Sequence, residues 1–206
     1  MSKKIVIIDY GMGNVGSISN MLKFIGADSF ITSDLETIEK ADKIILPGVG
    51  HFDRAMNNII ELNLFDILLR KALVDKVPFL GICLGMQLLC RHSEEGNRSG
   101  LGLINADVIE FKLESSYKVP HMGWNQIEPC NDPKILTDLD TTSRFYFVHS
   151  FYVKVDDTSN VLTYTDYGHK FVSGITNNEN IIGVQFHPEK SHKYGVTLFK
   201  NFIEKY

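Results

Sequence analysis

The stretch Phe79-Leu-Gly-Ile-Cys83-Leu-Gly-Met-Gln87 runs from an apolar strand through Gly81-x-Cys83-x-Gly85 into an amphipathic helix. It is the thiol counterpart of the G-x-S-x-G nucleophile elbow, a sharp strand-to-helix turn whose flanking glycines leave room for the nucleophile. A helix N-terminus favours thiolate over thiol, and the thiolate is what attacks. The plainer alternative is a buried cysteine packed as a small hydrophobe. Cys90 and Cys130, without flanking glycines, are read that way.

A nucleophilic cysteine needs a base, and Gly183-Val-Gln-Phe-His187-Pro-Glu189 places a histidine at a strand end with an acid two residues on. Sharing one face, Glu189 would hold the imidazole tautomer and support the imidazolium. His92, His169 and His192 lack that setting. Acyl transfer also requires an oxyanion hole. The Leu84 N–H, just after the nucleophile, is one natural donor, and the Pro47-Gly-Val49-Gly50 turn is a candidate for the second. No Pro-Cys-x-x-Cys follows the His-x-Glu, which argues against a zinc deaminase. Lys190 and Lys193 disfavour a cation held by His187, Glu189 and His192, so no metal is expected.

A competing signal lies at the N-terminus. Gly11-Met-Gly-Asn-Val-Gly16 is a literal G-x-G-x-x-G after an apolar run, with Asp34 further on, and on its own it suggests a dinucleotide site. Glycines in such a turn also serve simply to supply positive φ.

The elements that must position these groups follow from periodicity. Residues 4–9, 29–32, 43–47 and 77–83 read as four buried strands, because a strand covered on both faces is a near-continuous apolar run. Residues 14–25, 34–40 and 51–76 have helical spacing, the last long enough for two helices broken near Asn63. From about Leu101 the segments 103–111, 118–129, 144–155, 161–167, 170–176 and 181–186 read as strands of an antiparallel extension of the same sheet. A final helix over 192–206 carries Val196, Phe199 and Phe202 on one face. The expected fold is α/β, a parallel central sheet covered by helices with an antiparallel C-terminal extension, in one domain over residues 1–206.

With 206 residues, 44% hydrophobic and 22% charged, the chain has the composition of a globular protein that folds without a metal or disulfide framework. A net charge of -4 argues against a nucleic-acid or anionic-membrane partner. No apolar run approaches the ~20 residues of a membrane span. Three scattered cysteines and an N-terminus that leads straight into a strand-like run imply a reducing, cytoplasmic setting without a signal peptide.

Taken together, Gly-Ile-Cys83-Leu-Gly-Met-Gln and Phe-His187-Pro-Glu resemble the triad-type (class I) glutamine amidotransferases, of flavodoxin-like fold, across almost the whole chain. Pro47-Gly-Val-Gly50, Pro120-His-Met-Gly-Trp-Asn125, Phe147-Val-His-Ser150, Gln185 to Ser191 and Asp9 to Asn14 are similar to the branch that provides the glutaminase subunit of imidazole glycerol phosphate synthase. The resemblance implies glutamine hydrolysis at Cys83 without a cofactor, with His187 protonating the leaving ammonia. It implies a glutamine site at Gly50, Gln87, Glu94, His149 and Ser150, with Leu84 and Val49-Gly50 as oxyanion donors. It also implies a (β/α)8-barrel synthase subunit as partner in a heterodimer of histidine biosynthesis, with Asn14, Trp124 and Lys190 at the interface. In this branch the Gly11–Gly16 loop binds no dinucleotide. Paralogous glutaminases that feed sugar amidotransferases of surface polysaccharides remain open, as do a stand-alone cysteine peptidase and a dinucleotide-binding protein.

Overall fold

The computed structural model describes residues 3–206. Strand β1 (Ile5–Ile8) leads through a loop into α1 (Val15–Phe24), followed by β2 (Ser29–Thr32), α2 (Leu35–Glu39) and β3 (Lys43–Gly48). Next come α3 (Phe52–Glu61), α4 (Leu64–Leu73), β4 (Phe79–Cys83) and α5 (Leu84–Leu88). The α3/α4 break falls at Asn63, whose left-handed backbone (φ 57°) ends one helix and starts the next. Asp34 caps α2 by accepting the Thr37 N–H.

The rest of the chain is mostly strand: β5 (His92–Ser93), β6 (Ala106–Glu110), β7 (His121–Gln126), β8 (Glu128–Pro129), β9 (Arg144–His149), β10 (Phe151–Val155), β11 (Val161–Tyr167), β12 (His169–Thr176) and β13 (Ile181–Val184). A 3-10 turn, Pro188–Lys190, and α6 (His192–Lys205) follow. The main sheet runs β2-β1-β3-β4-β13-β12-β10-β6-β5, with β11 beside β12 and β8 beside β11.

Three expectations need correcting. Periodicity assigns residues 181–186 to the antiparallel extension, but β13 lies parallel to β4 and antiparallel only to β12, so it is the fifth parallel strand and the seam between the two halves. β7 and β9 pair in a separate two-stranded antiparallel sheet rather than extending the main one. β2 is an edge strand with half-exposed and exposed residues, because only β1 pairs with it.

Alternate residues of β1 serve the two faces of the sheet. Val6 and Ile8 pack in a core with residues of α2, α3, α4 and α5, whereas Ile5 and Ile7 pack with Ile18 and Leu22 of α1 and Leu198, Phe199 and Phe202 of α6. Each fully buried Leu, Ile or Phe contributes roughly 1.5–3 kcal/mol relative to exposure. In α6, Val196 is only half-buried and Leu198 takes the core position, a shift of the buried stripe from the expected one.

Candidate active site

β4 and β13 are neighbours, with Gly183 opposite Gly81 and Val184 opposite Ile82, so the chain leaves both strands at the same edge of the sheet. That is where a doubly wound sheet presents ligands, outside the carboxyl ends of its strands. Cys83 closes β4 at φ 55° and ψ −112°, a conformation that costs a non-glycine residue of order 1–3 kcal/mol and recurs at functional sites. A Cβ on Gly85 would collide with the Leu46 carbonyl oxygen, so only glycine lets α5 settle against β3. α5 is not the amphipathic helix expected: all five of its residues are buried. Such a short helix has little dipole. The groups around the sulfur matter more.

His187 follows β13 and is pinned by its backbone. Its N–H donates to the Tyr146 carbonyl at 2.8 Å, and its carbonyl accepts the Ser191 hydroxyl at 2.6 Å. The His187 Nδ1–H donates to Glu189 Oε1 at 2.8 Å, with both side chains 1% exposed. Glu189 Oε1 also accepts the Asn14 Nδ2–H at 3.0 Å. Burial opposes the imidazolium, yet the Cys83 sulfur and the Glu189 carboxylate outweigh it and push His187 up to about 10. Burial also acts to raise the Glu189 carboxyl, but His187 and Asn14 hold it below the usual range. Nε2 of His187 is buried and has no hydrogen-bond partner among the described residues, which leaves it available for a proton in transit.

A cavity of about 310 Å³ opens on these groups, lined by Cys83, Leu84, Val49, Gly50, Gln87, His149, Ser150 and His187 among others. This is the low end of the range for small-ligand sites and suits an amino acid. Glu94 is corrected: it is exposed, its carboxylate accepts the Glu110 N–H at 2.7 Å, and it does not line the cavity. Glu95 does, and it accepts the Phe52 N–H at the start of α3 at 2.8 Å. The two adjacent acids are the central residues of a turn in which the Gly96 N–H donates to the Ser93 carbonyl at 3.2 Å, and the turn sends them to different partners, which the run Ser-Glu-Glu did not disclose.

His149, beside Ser150, belongs to a buried chain. Its Nδ1–H donates to the Phe151 carbonyl at 2.7 Å, its Nε2 accepts from His121 Nδ1 at 3.0 Å, and His121 Nε2 accepts from Asn125 at 3.3 Å. Burial pushes His149 down to about 3 and His121 down to about 4, so both stay neutral. Sequence reasoning missed this chain, although Pro120-His-Met-Gly-Trp-Asn125 alternates its polar groups onto one strand face.

The expected interface residues divide. Trp124 is 41% exposed and stacks on His192, with ring centroids 5.4 Å apart. Lys190 is exposed, its ammonium 5.6 Å from the centre of the Tyr146 ring. Asn14, by contrast, is half-buried with its amide committed to Glu189. The G-x-G-x-x-G loop therefore leans on the triad, which removes the main support for a dinucleotide site. Among the described residues no cluster of His, Cys, Asp or Glu suited to a metal occurs, and no helix is long and apolar enough to cross a membrane.

A cysteine on an elbow, a histidine between it and a buried carboxylate, and an amino-acid-sized cavity can together perform acyl transfer from an amide. The glutamine amidotransferase class-I family matches residues 6–206, and the chain belongs to that family; it is a glutamine amidotransferase. Among its relatives, imidazole glycerol phosphate synthase subunit HisH 2 of Methanococcus maripaludis is 55% identical, over 98% of this chain and 99% of that one. HisH 2 of Pseudomonas aeruginosa is 47% identical over 97% and 98%, and HisH of Aquifex aeolicus 46% over 97% and 96%. In fold, the chain is similar to a solved PurLQS structure from Thermotoga maritima at TM-score 0.73 and 19% identity, covering 100% of this chain and 99% of the other.

Proposed function

We propose that this chain, as one domain over residues 1–206, is the cytoplasmic glutaminase subunit of an imidazole glycerol phosphate synthase. It hydrolyses glutamine and passes the ammonia to a (β/α)8-barrel cyclase subunit. The observation that carries the chemistry is that Cys83 and His187 line one amino-acid-sized cavity, with the Glu189 carboxylate hydrogen-bonded to His187 at 2.8 Å. The names of relatives at 46–55% identity support the histidine-pathway acceptor over a surface sugar.

The Cys83 thiolate attacks the side-chain amide carbon of glutamine, forming a C–S bond and a tetrahedral oxyanion. The N–H of Leu84 and an N–H of the Val49-Gly50 turn receive the oxyanion. As the C–N bond breaks, His187 passes its proton to the leaving nitrogen and ammonia departs. His187 then takes a proton from water, the hydroxide adds to the thioester carbon, and glutamate leaves as the thiolate is restored. Glu189 keeps the imidazole proton on Nδ1 throughout. Gln87, Glu95 and the His149-Ser150 segment surround the substrate. No cofactor enters. Trp124 and Lys190 form the docking face, beside Tyr146, whose carbonyl holds the His187 backbone.

The test is steady-state glutamine hydrolysis by the purified chain, alone and with the barrel subunit and its phosphoribosyl aminoimidazole carboxamide acceptor. Amide nitrogen from isotope-labelled glutamine is followed into product. Acceleration with label in the imidazole product is expected. Equal turnover in both conditions would leave a free-standing hydrolase, and label appearing only in an amidated sugar would move the chain to another pathway.

A further inference from the structure

The triad accounts for one side of the nucleophile. The sulfur has a further neighbour: the Gln185 Nε2–H donates to it at 3.7 Å. Gln185 is wholly buried. The identity of the amide end facing the sulfur is fixed from behind, since Gln185 Oε1 accepts the Gln87 Nε2–H at 3.0 Å. Gln87 is one helical turn beyond Cys83 and also approaches the Phe151 carbonyl at 3.4 Å. Gln185 and His187 both lie in the short segment that follows β13, so the donor and the base come from the same strand exit. Phe186, between them, turns into the core on Phe145.

We infer that Gln185 is a further catalytic residue of the glutaminase reaction, its amide N–H stabilising the Cys83 thiolate both before attack and when it leaves the thioester. The inference rests on the proposed glutaminase reading. A neutral donor suits this place better than a cation. It favours the anion while quenching its nucleophilicity less, and attack rates fall only partly as thiolate basicity falls. The same N–H assists deacylation, where sulfur regains its negative charge as the departing group. Gln87 aims that donor and lines the cavity as well, so substrate contact with Gln87 is wired to the sulfur.

The experiment follows alkylation of Cys83 by iodoacetamide against pH, reading the Cys83 peptide by mass spectrometry in wild type, Gln185→Leu and Gln185→Glu. Cys90 and Cys130 serve as internal references, their thiols pushed up by burial first of all. Iodoacetamide is not glutamine, so this readout stands even if glutamine turnover fails in every form and the glutaminase reading falls. Gln185→Leu is expected to move the Cys83 alkylation profile to higher pH and to lower kcat/KM for glutamine about tenfold or more at neutral pH, the worth of one hydrogen bond to a charged group. KM should change little. Gln185→Glu, which sets a carboxylate against the thiolate, should move the profile further. Melting curves show whether each variant is folded; where one is not, Gln87→Leu, which releases the Gln185 amide, is read by its Cys83 alkylation profile alone, since Gln87 also lines the cavity. An alkylation profile unchanged in folded Gln185→Leu, or a loss confined to KM, overturns the inference.

Discussion

Replacing Glu189 with glutamine tests what the carboxylate does, and its size can be worked out from its neighbours. The variant keeps an oxygen at the Oε1 position, where it can still accept the His187 Nδ1–H and the Asn14 Nδ2–H, which lie 2.8 and 3.0 Å away. What it loses is charge. A hydrogen bond to a charged group is worth about 1.5–3 kcal/mol and a neutral one about 0.5–1.5, a difference of about 1–1.5 kcal/mol or roughly tenfold in rate. In serine triads, exchanging the acid for its amide costs about 10⁴ because the amide turns round and presents the wrong imidazole tautomer. Here Asn14 opposes that turn, since a flipped side-chain amide at position 189 would set its NH2 against the NH2 of Asn14. Glu189→Gln alone is therefore expected to lower kcat about 10- to 100-fold, less than His187→Asn, which removes general acid-base catalysis worth up to about 10⁴. In the Asn14→Ala background the flip is free. The double variant should then fall about tenfold or more below the product of the two single effects. Initial-rate glutamine hydrolysis by wild type, the three single variants and the double variant measures this. Multiplicative effects, or a Glu189→Gln loss exceeding that of His187→Asn, would refute the role given to both residues.

Asn14→Ala by itself should lower kcat about tenfold with KM for glutamine unchanged, since Asn14 does not line the cavity; steady-state kinetics with KM rising and kcat intact would contradict this. Cys83→Ala should abolish turnover while stability stays within about 1 kcal/mol by urea denaturation, because alanine meets the same backbone strain at φ 55°. Gly85→Ala, whose Cβ would collide with the Leu46 carbonyl, should cost more than about 3 kcal/mol or prevent folding, seen as lost soluble yield or a lowered denaturation midpoint. Acid should weaken the fold before carboxylates titrate. His121 and His149 are depressed to about 4 and about 3 from 6.5, so the unfolded chain binds their protons first, and stability, intact above 6.5, falls by up to about 2.7 kcal/mol per pH unit between roughly pH 5.5 and 4. His187, raised to about 10, has the opposite sign: its contribution is full below 6.5 and is lost as pH rises through 10. Urea midpoints against pH, with His149→Asn flattening the acid limb, check both.

The elbow and the base were legible because each carries its own local geometry in its residue types. Glycine flanks mark a turn that a side chain would block, and His-Pro-Glu after an apolar run marks a strand exit. The direction of β13 was not legible, because a strand's residues do not state which neighbour it joins. Its unbroken apolar run, Ile181 to Val184, was the available sign of a central position covered on both faces, and all four residues are buried. Glu94 and Glu95 were indistinguishable for the opposite reason: two identical side chains in succession leave only the local backbone to decide which reaches the cavity. The buried pairings, Asn14 with Glu189, Gln185 with Cys83 and His121 with His149, join residues 175, 102 and 28 positions apart. Their partners are chosen by tertiary packing, to which local periodicity is blind.

The N-terminal glycines acquire a purpose once those long-range contacts are in view. The loop from Tyr10 to Asn14 touches both halves of the catalytic apparatus. The Tyr10 hydroxyl donates to the Pro47 carbonyl at 2.7 Å, and burial together with nearby Cys83 holds that phenol in its protonated, donating form. A Cβ on Gly13, at φ 133°, would meet the Pro47 side chain at 3.0 Å, so the loop lies directly on the turn proposed as the second oxyanion donor. Met12 reaches Gly50 from the same side, within 2.8 Å of where a Cβ would be. Two residues further, Asn14 holds the triad carboxylate. A displacement of this loop must therefore act on the oxyanion turn and on Glu189 together. A G-x-G-x-x-G spacing that would cradle a pyrophosphate in another setting is used here to let backbone and short side chains pack against two catalytic elements at once.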